Sequence, residues 1–288
     1  MKIKCVLMTL LFLFLAFAVQ AEDKGVGTNE LFKGPVGLQL YSLRDIFSKD
    51  VLLGMKLSED FGFKYVELAG TYGLSTQEMI ELLNKHQLVA VAGHWGFDQF
   101  KNNPEAVAKE AKELGLKFAG VAWIPHEGEF DEAEARHAAD VFNKAGAVLA
   151  KEGIQFYYHN HGYEFQPFED GTLFDLLVQQ TDPELVSFQM DVLWTVFPGQ
   201  DPVAILKKYP NRFSLFHLKD LKKGVEGNLT GGTSVENDVP LGSGQVDYPA
   251  LLKTAQEIGI QYYFIEDESP TVLEQIPVSL KYLESIQW

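Results

Sequence analysis

The sequence predicts a single-domain α/β protein of the (β/α)8, or TIM barrel, class. Short apolar runs rich in β-branched and aromatic residues alternate with amphipathic stretches, and eight such units can be counted. They occupy about 250 residues, the usual size of a closed parallel barrel. An open doubly wound sheet uses the same alternation, but no glycine-rich phosphate turn precedes the first helix. The closed barrel is therefore the expected fold.

Each predicted strand is a short apolar run bounded by turn-forming residues. The eight runs are Val36–Tyr41, Tyr65–Ala69, Leu88–His94, Phe118–Ile124, Ile154–His159, Val186–Asp191, Phe213–His217 and Tyr262–Glu266.

Capping residues mark the helices between these strands. The spacing of Ser75 and Glu78 predicts a capping box, and Pro104 is typical of a first helical position. A longer helix is expected over residues 131–152, where Gly153 ends it. The later helices share a small or acidic residue before their first turn and are expected after Gly171, Asp201, Asp247 and Ser269.

The N-terminus has the pattern of an export signal. Lys2 and Lys4 precede an unbroken apolar run, Val6–Val19, which ends beside small residues. This predicts a signal peptide over residues 1–21 and a catalytic TIM barrel over residues 22–288. An uncleaved N-terminal anchor is the alternative. The mature protein is expected to be periplasmic or secreted and free of the membrane.

Charge and cysteine content limit the partners. The formal net charge is −16, so a nucleic acid or an anionic lipid surface is a poor partner. The single cysteine, Cys5, lies in the predicted signal, so a large core rather than disulfides must stabilise the mature chain. No basic cluster suggests a phosphate site. A neutral sugar is the expected small-molecule partner, and a homo-oligomer is compatible with these data.

One long irregular segment, Lys222–Gln245, is rich in Gly, Asn, Ser and Thr. It follows the seventh predicted strand. In a barrel such a loop lies over the end of the strands that carries the active site, so we expect it to cover that face.

Polar side chains end the later strands, at the barrel end where enzymes of this fold place reactive groups. They are His94 and Trp95 after strand three, His159, His161 and Glu164 after strand five, Asp191 after strand six, His217 and Lys219 after strand seven, and Glu266 after strand eight. Because these strand ends converge near the barrel axis, the acids would repel one another unless a cation joined them.

The predicted metal ligands are Glu164, Asp191, His217 and Glu266, with His159 as an alternative or additional ligand from strand five. Three oxygen ligands and one nitrogen suit Mn, Mg or Co, and Zn is also plausible. Taken singly, Asp191 could cap a turn, His217 could be a core histidine and Glu266 could belong to a solvated acidic run. Their occurrence together at equivalent strand ends favours the metal site.

Catalytic roles are predicted for His161 or Glu266 as the base and for Lys219 as the group that stabilises an oxyanion. The competing interpretations are a structural His159–His161 pair and a Lys219–Asp220 ion pair. The predicted substrate-binding residues share an aromatic or imidazole ring and are His94, Trp95, His159 and Trp194.

At these residues the sequence resembles the xylose-isomerase-like TIM-barrel superfamily, in its sugar phosphate isomerase/epimerase branch. The matching segments span nearly the whole chain in the expected order. They are residues 37–45 (GLQLYSLRD), 158–165 (YHNHGYEF), Met190 and Asp191 with Trp194, residues 217–220 (HLKD), 241–247 (LGSGQVD) and 265–266 (IE).

The resemblance implies a metal held by Glu, Asp, His and Glu from strands five to eight, which matches Asp191, His217 and Glu266. Strand five departs from the pattern, because many relatives carry the glutamate where His159 stands. The resemblance leaves the substrate open, since the superfamily includes isomerases, epimerases, dehydratases, 3-keto-glycoside lyases and a DNA-repair endonuclease.

The leading functional hypothesis is a metal-dependent isomerase or epimerase that removes a proton alpha to a sugar carbonyl and forms an enediolate. A lyase or dehydratase would use the same chemistry to expel a β-leaving group. A non-catalytic carbohydrate-binding barrel is the alternative of another class. Charge and the predicted export signal disfavour the endonuclease.

Overall fold

The computed structural model describes residues 25–288 and contains a closed barrel of eight parallel strands. We number these barrel strands β1 to β8 in chain order: Val36–Gln39, Tyr65–Leu68, Val89–His94, Phe118–Val121, Gln155–His159, Val186–Asp191, Phe213–Leu218 and Tyr262–Ile265. Strand β1 pairs with both β2 and β8, which closes the sheet. The predicted barrel is therefore confirmed, and the open-sheet alternative is wrong. The predicted signal, residues 1–21, lies outside the described residues.

All eight predicted strands form, although two of them, β1 and β4, end two or more residues earlier than expected. Strand β1 stops at Gln39, whose side-chain oxygen accepts a hydrogen bond from Tyr41 N at 3.0 Å and starts a 3-10 turn over Leu40–Leu43. Strand β4 stops at Val121, and Ile124 N donates to the hydroxyl of Tyr163 at 2.8 Å instead of to a neighbouring strand. At the C-terminal ends of β1 and β4, hydrogen bonds to side-chain oxygens thus replace the backbone hydrogen bonds between strands.

Helices surround the barrel. In chain order, α1 to α11 are Arg44–Phe47, Val51–Asp60, Thr76–Lys85, Phe97–Asn102, Pro104–Glu113, Glu132–Ala150, Leu173–Gln180, Val192–Val196, Pro202–Lys208, Tyr248–Ile258 and Val272–Ser285. The Ser75–Glu78 capping box is present, and α6 is capped by Asp131. The short helices α4 and α8 were not predicted. Among residues 25–288, no helix combines the length and apolarity needed to cross a membrane.

An apolar floor fills the N-terminal part of the barrel interior. Strand side chains alternate between the interior and the surrounding helices, and the interior positions here carry large apolar groups. We define the floor as Phe118, Tyr157, Leu215, Tyr262 and Phe264, all of which are buried in one cluster. The polar strand ends lie directly above it.

The segment 222–245 begins and ends in ordered structure. Asp220 and Leu221 pair antiparallel with Asp238 and Val239. The Asp220 carboxylate also accepts hydrogen bonds from the backbone of residues 242, 244 and 246, at 2.9, 3.0 and 3.1 Å. Between these anchors, residues 231–235 line a cavity at the C-terminal end of the barrel. The prediction that this loop lies over the C-terminal end of the barrel is confirmed.

Candidate active site

Above the floor, the same strands carry ionisable side chains at the next interior position. His159 follows Tyr157 by two residues on β5, His217 follows Leu215 on β7, and Glu266 follows Phe264 after β8. The alternation that buries the floor therefore also turns these groups inward. The alternation of side chains along the strands thus accounts for both the apolar floor and the ionisable side chains above it.

Four of these side chains could share one metal ion. Ligand atoms of His159, Asp191, His217 and Glu266 all lie within 4.8 Å of one another, and all four residues are buried. His217 Nδ1 lies 3.2 Å from Glu266 Oε2 and 3.7 Å from Asp191 Oδ2, and His159 Nε2 lies 3.9 Å from Asp191 Oδ2. We call this set the metal group.

The Asp191 carboxylate divides its two oxygens between structure and site. Oδ1 accepts a hydrogen bond from Trp194 N at 2.9 Å and so caps α8, as the turn-capping interpretation expected. Oδ2 is buried and has no hydrogen-bond partner among the described residues. Burial raises the pKa of this carboxyl above its ordinary value. A buried acceptor without a donor is costly, and a bound cation would satisfy it.

Glu67, at the end of β2, holds His217 from the other side. Its buried carboxylate accepts hydrogen bonds from His217 Nε2, from Gln39 Nε2 at 2.8 Å and from the hydroxyl of Tyr157. A proton on Nε2 leaves His217 Nδ1 as the free ligand atom. Burial alone would lower the pKa of His217, but Glu67 and Glu266 outweigh burial and raise it well above its usual range.

Gln189 positions His159 in the same way. Its amide oxygen lies 3.0 Å from His159 Nδ1 and 3.3 Å from His94 Nε2, while its amide nitrogen donates to Glu67 at 2.9 Å. The bond to Glu67 fixes which way the amide faces, so His159 donates through Nδ1 and offers Nε2. Burial, with His217 nearby, holds the pKa of His159 well below its usual range, which favours the neutral ligand form.

Lys219 joins the acids at the edge of the group. Its ammonium donates to Glu266 at 3.2 Å and to Glu268, and lies 3.8 Å from Asp238. Burial alone would lower the pKa of Lys219, but these carboxylates outweigh it and raise the pKa well above its usual range. The Lys219–Asp220 alternative is wrong, because Asp220 accepts backbone N–H groups instead.

Glu164 does not join the metal group. One oxygen of its buried carboxyl accepts hydrogen bonds from the hydroxyl of Tyr158 at 2.8 Å and from His161 N at 2.9 Å. A left-handed Gly162 and a 3-10 turn over Tyr163–Phe165 carry Glu164 away from the end of β5. Of the two strand-five candidates, the structure brings His159, not Glu164, to the other three ligands.

His161 lines the cavity beside the metal group. Its ring centroid lies 4.9 Å from that of His159 and stacks on Trp194 at 5.4 Å. Burial, followed by the effect of Lys219, lowers the pKa of His161 to about 3, so the ring is neutral at ordinary pH. Its Nδ1 has no hydrogen-bond partner among the described residues. His161 therefore contributes a neutral ring to the cavity wall, and its buried Nδ1 has a lone pair that no described residue uses.

The remaining predicted binding residues also line this cavity, whose volume is about 700 Å³. His94 faces Gln189, and Trp95 lies at the rim with its indole N–H bonded to Glu110 at 3.0 Å. Trp194 is buried against Lys219, whose ammonium lies 5.7 Å from the ring centroid. The cavity thus combines aromatic walls with a polar base, as small-molecule sites usually do.

Sequence reasoning missed three contributors. Glu67 and Gln189 sit inside apolar strands, where a lone polar residue at an interior position was the available signal. Trp123, which also lines the cavity, follows β4, a strand that ends without an ionisable group. The search for charged strand ends therefore passed over all three.

Comparison with known proteins identifies the family. A family model described as xylose isomerase-like TIM barrel matches residues 55–288, so this chain belongs to that family. The chain is 27% identical to an inosose dehydratase from Clostridium beijerinckii over 252 residues, which cover 76% of this chain and 83% of that protein. The relatives found by this comparison are enzymes.

Solved structures agree on the fold. A sugar phosphate isomerase/epimerase from Parabacteroides distasonis is 26% identical, with a TM-score of 0.72 over 86% of this chain and 96% of that chain. A structure of the IOLI protein with a bound zinc atom is 16% identical, with a TM-score of 0.69 over 85% and 95% of the two chains. At that identity the second match supports the fold alone.

Proposed function

We propose that this protein is a divalent-metal enzyme that removes a proton alpha to the carbonyl of a neutral keto-sugar or keto-polyol and completes the reaction by β-elimination. The observation that carries the proposal is the metal group, in which Asp191 Oδ2 is buried and unpartnered, while His159, His217 and Glu266 line a cavity of about 700 Å³. Lone acids or histidines occur in any core, but four convergent ligand atoms above an apolar floor favour a cation.

The residues that would hold the metal are His159, Asp191, His217 and Glu266. Two imidazoles and two carboxylates suit Zn, Co or Mn better than Mg, which prefers oxygen ligands alone. The zinc in the IOLI protein is consistent with this choice. When bound, such an ion supplies a Lewis acid for the substrate carbonyl.

The cavity favours an uncharged substrate. Lys219 is the one lysine or arginine among the described residues that line it, and three carboxylates already engage its ammonium. Apart from the metal, a phosphate group would meet no cationic side chain that lacks a carboxylate partner, and it would face Glu268 and Asp238. Trp95 and Trp194 instead offer apolar surface on which the C–H face of a sugar ring can pack.

His161 is the proposed base. Its neutral ring and unpartnered Nδ1 leave a lone pair free to take the proton, whereas Glu266 would ligate the metal and already accepts a hydrogen bond from Lys219. Lys219, which stays protonated, would stabilise the negative charge that develops on the substrate oxygen.

One feature favours elimination over epimerisation. Epimerisation at one carbon needs a second proton donor on the opposite face, and the cavity carboxylates Glu266, Glu268 and Asp238 are engaged by Lys219. A single base can instead take the proton and pass it to the departing oxygen on the same face. The inosose dehydratase relatives fit this course, whereas the Parabacteroides distasonis structure keeps isomerisation as the second candidate.

The experiment has two stages. Elemental analysis of purified wild type and Asp191→Ala should find about one equivalent of metal in the wild type and at least a tenfold lower content in the variant. Equal content in both would overturn the metal site.

Metal-loaded protein is then incubated in D2O with an inosose, a 3-keto-glucoside and a free ketose. Deuterium entry beside the carbonyl reports proton removal, and a conjugated product without an epimer reports elimination. His161→Gln should lose deuterium exchange while keeping its metal, and unchanged exchange would remove His161 from the base role.

A further inference from the structure

Trp123 is an exposed tryptophan held in a fixed position at the outer part of the cavity. About 42% of its surface is exposed, although it follows the buried strand β4. His126 stacks on it with centroids 5.1 Å apart and an angle of 24° between the planes. The ring of Tyr163 packs edge-on at 4.7 Å. One indole face is thus covered, and the ring lines the cavity with the rest of its surface.

Trp123 lies one ring farther from the metal group than His161. The His159 and His161 centroids are 4.9 Å apart, and those of His161 and Trp123 are 5.3 Å apart. The metal group, the proposed base and Trp123 therefore follow one another along one wall. A sugar ring at the metal group would leave Trp123 free for whatever is attached to that ring.

The loop over the barrel completes this outer region. Gly231 has φ of +71°, and a Cβ there would lie 2.6 Å from the Tyr163 ring and 3.4 Å from Trp123. Glycine therefore lets the loop backbone pass directly beside the two rings. Thr233 and Ser234 line the same cavity and add hydroxyl groups to its wall. A cavity wall that combines an apolar indole with hydroxyls and backbone suits a ring with both C–H and O–H groups.

The size of the cavity points the same way. About 700 Å³ lies in the upper part of the range of roughly 300–1,000 Å³ that is usual for small-molecule sites. A single sugar ring at the metal group occupies only part of this space.

We propose that Trp123 is the platform of a second subsite, which takes a ring joined to the keto-sugar through a glycosidic oxygen. The substrate would then be a glycoside with two rings rather than a free monosaccharide. This inference rests on the proposed function, since the first ring is placed by the metal group. A second sugar and an aryl group share the flat apolar face that the indole recognises, so both are used as probes.

The test is binding of the 3-keto derivatives of methyl, phenyl and glucosyl glucosides, in both anomers, to zinc-loaded protein that carries His161→Gln to prevent turnover, measured by calorimetry. For one anomer, the two-ring probes should bind about two- to tenfold more tightly than the methyl derivative. Trp123→Ala should remove that advantage without changing the affinity for the methyl derivative. Trp123→Tyr, which keeps a flat ring, should retain most of it. The phenyl and glucosyl arms show which second ring is preferred.

The outcomes separate the two proposals. Binding of the methyl derivative without any two-ring advantage, or an advantage that survives in Trp123→Ala, overturns the second subsite alone. Failure of every derivative to bind protein that still holds zinc counts against the carbohydrate substrate and overturns the subsite with it. The unfolding midpoints of the three proteins, measured alongside, check that each variant is folded at the temperature of the titration.

Discussion

The interior of the barrel has two layers built on the same strands, and they are stabilised in different ways. In the floor, Phe264 stacks on Tyr262 with centroids 6.2 Å apart, and both rings are buried. In the layer above, His217, Glu67 and Glu266 are equally buried but depend on one another for charge and hydrogen bonding. A change at a floor residue such as Phe264 removes only apolar contacts, whereas a change in the polar layer leaves an unpaired charge.

This difference explains how a metal group can exist in a barrel core. The floor excludes water and fixes the strands, so the ligands above it are held by backbone geometry as well as by their own contacts. Burial in turn makes each unpaired acid expensive, which is why Lys219 and a cation site accompany the acids. The three substitutions below perturb one layer at a time, beginning with the largest expected loss.

The first substitution, Phe264→Ala, removes a ring from the centre of the floor. Loss of buried apolar contacts should lower the free energy of unfolding by about 3–5 kcal/mol. Urea unfolding followed by circular dichroism measures this change. Val89→Ala, at an exposed position on β3, is the matched control and should cost much less. Comparable losses in both variants would mean that the floor does not stabilise the barrel as described.

The second substitution, Glu164→Gln, tests a buried acid beside the polar layer. Burial raises the pKa of Glu164 from 4.5 to about 7, so the folded state binds this proton more tightly than the unfolded state. Its contribution to stability is complete below pH 4.5 and is lost as the pH rises through about 7. The total loss is roughly 3 kcal/mol.

The glutamine of the Glu164→Gln variant cannot titrate. Between pH 4.5 and about 7, the unfolding free energy of the variant should therefore fall less steeply than that of the wild type. Urea unfolding at a series of pH values measures the slope. Glu257→Gln changes an exposed carboxylate on α10 and should keep the wild-type slope. A Glu164→Gln slope equal to that of the wild type would show that Glu164 is already ionised in the folded protein.

The third substitution, Glu67→Gln, changes a charge that touches the metal group without belonging to it. The amide keeps an acceptor for His217 Nε2 but loses the negative charge, so affinity for Zn²⁺ should fall about 10- to 100-fold, or about 1.4 to 2.8 kcal/mol. Competition with a chelating dye measures the affinity. Glu59→Gln, whose carboxylate pairs with His86 away from the barrel interior, is the control. Equal affinities would limit Glu67 to a packing role.

The fold could be predicted from the sequence because two patterns in it are periodic: the apolar runs that form the strands, and the repeat of strand and helix. Apolar alternation defined all eight strands, and the parallel order sent their C-terminal ends to one face. Asp191, His217 and Glu266 were therefore grouped correctly without any knowledge of distances. Their role as metal ligands stays a prediction, as does the export of the protein.

The predictions failed for side chains whose position depends on turn geometry or on contacts across the barrel rather than on strand periodicity. Glu164 appeared eligible because it follows β5 closely, but the left-handed Gly162 takes it out of the barrel mouth. Glu67 follows the buried Val66 in an apolar strand, and nothing in a linear pattern reveals that His217 approaches it across the barrel. Contacts across the interior join residues that lie far apart in the chain, so they emerge only from the closed structure.

The Asp220 anchor has a consequence for how this protein can change over time. Because one buried carboxylate fastens both ends of the covering loop, most residues between the anchors, Gly231 excepted, can vary without disturbing the strands beneath. Mutations in this one loop can thus change which molecules the barrel binds. The catalytic layer would meanwhile be inherited intact.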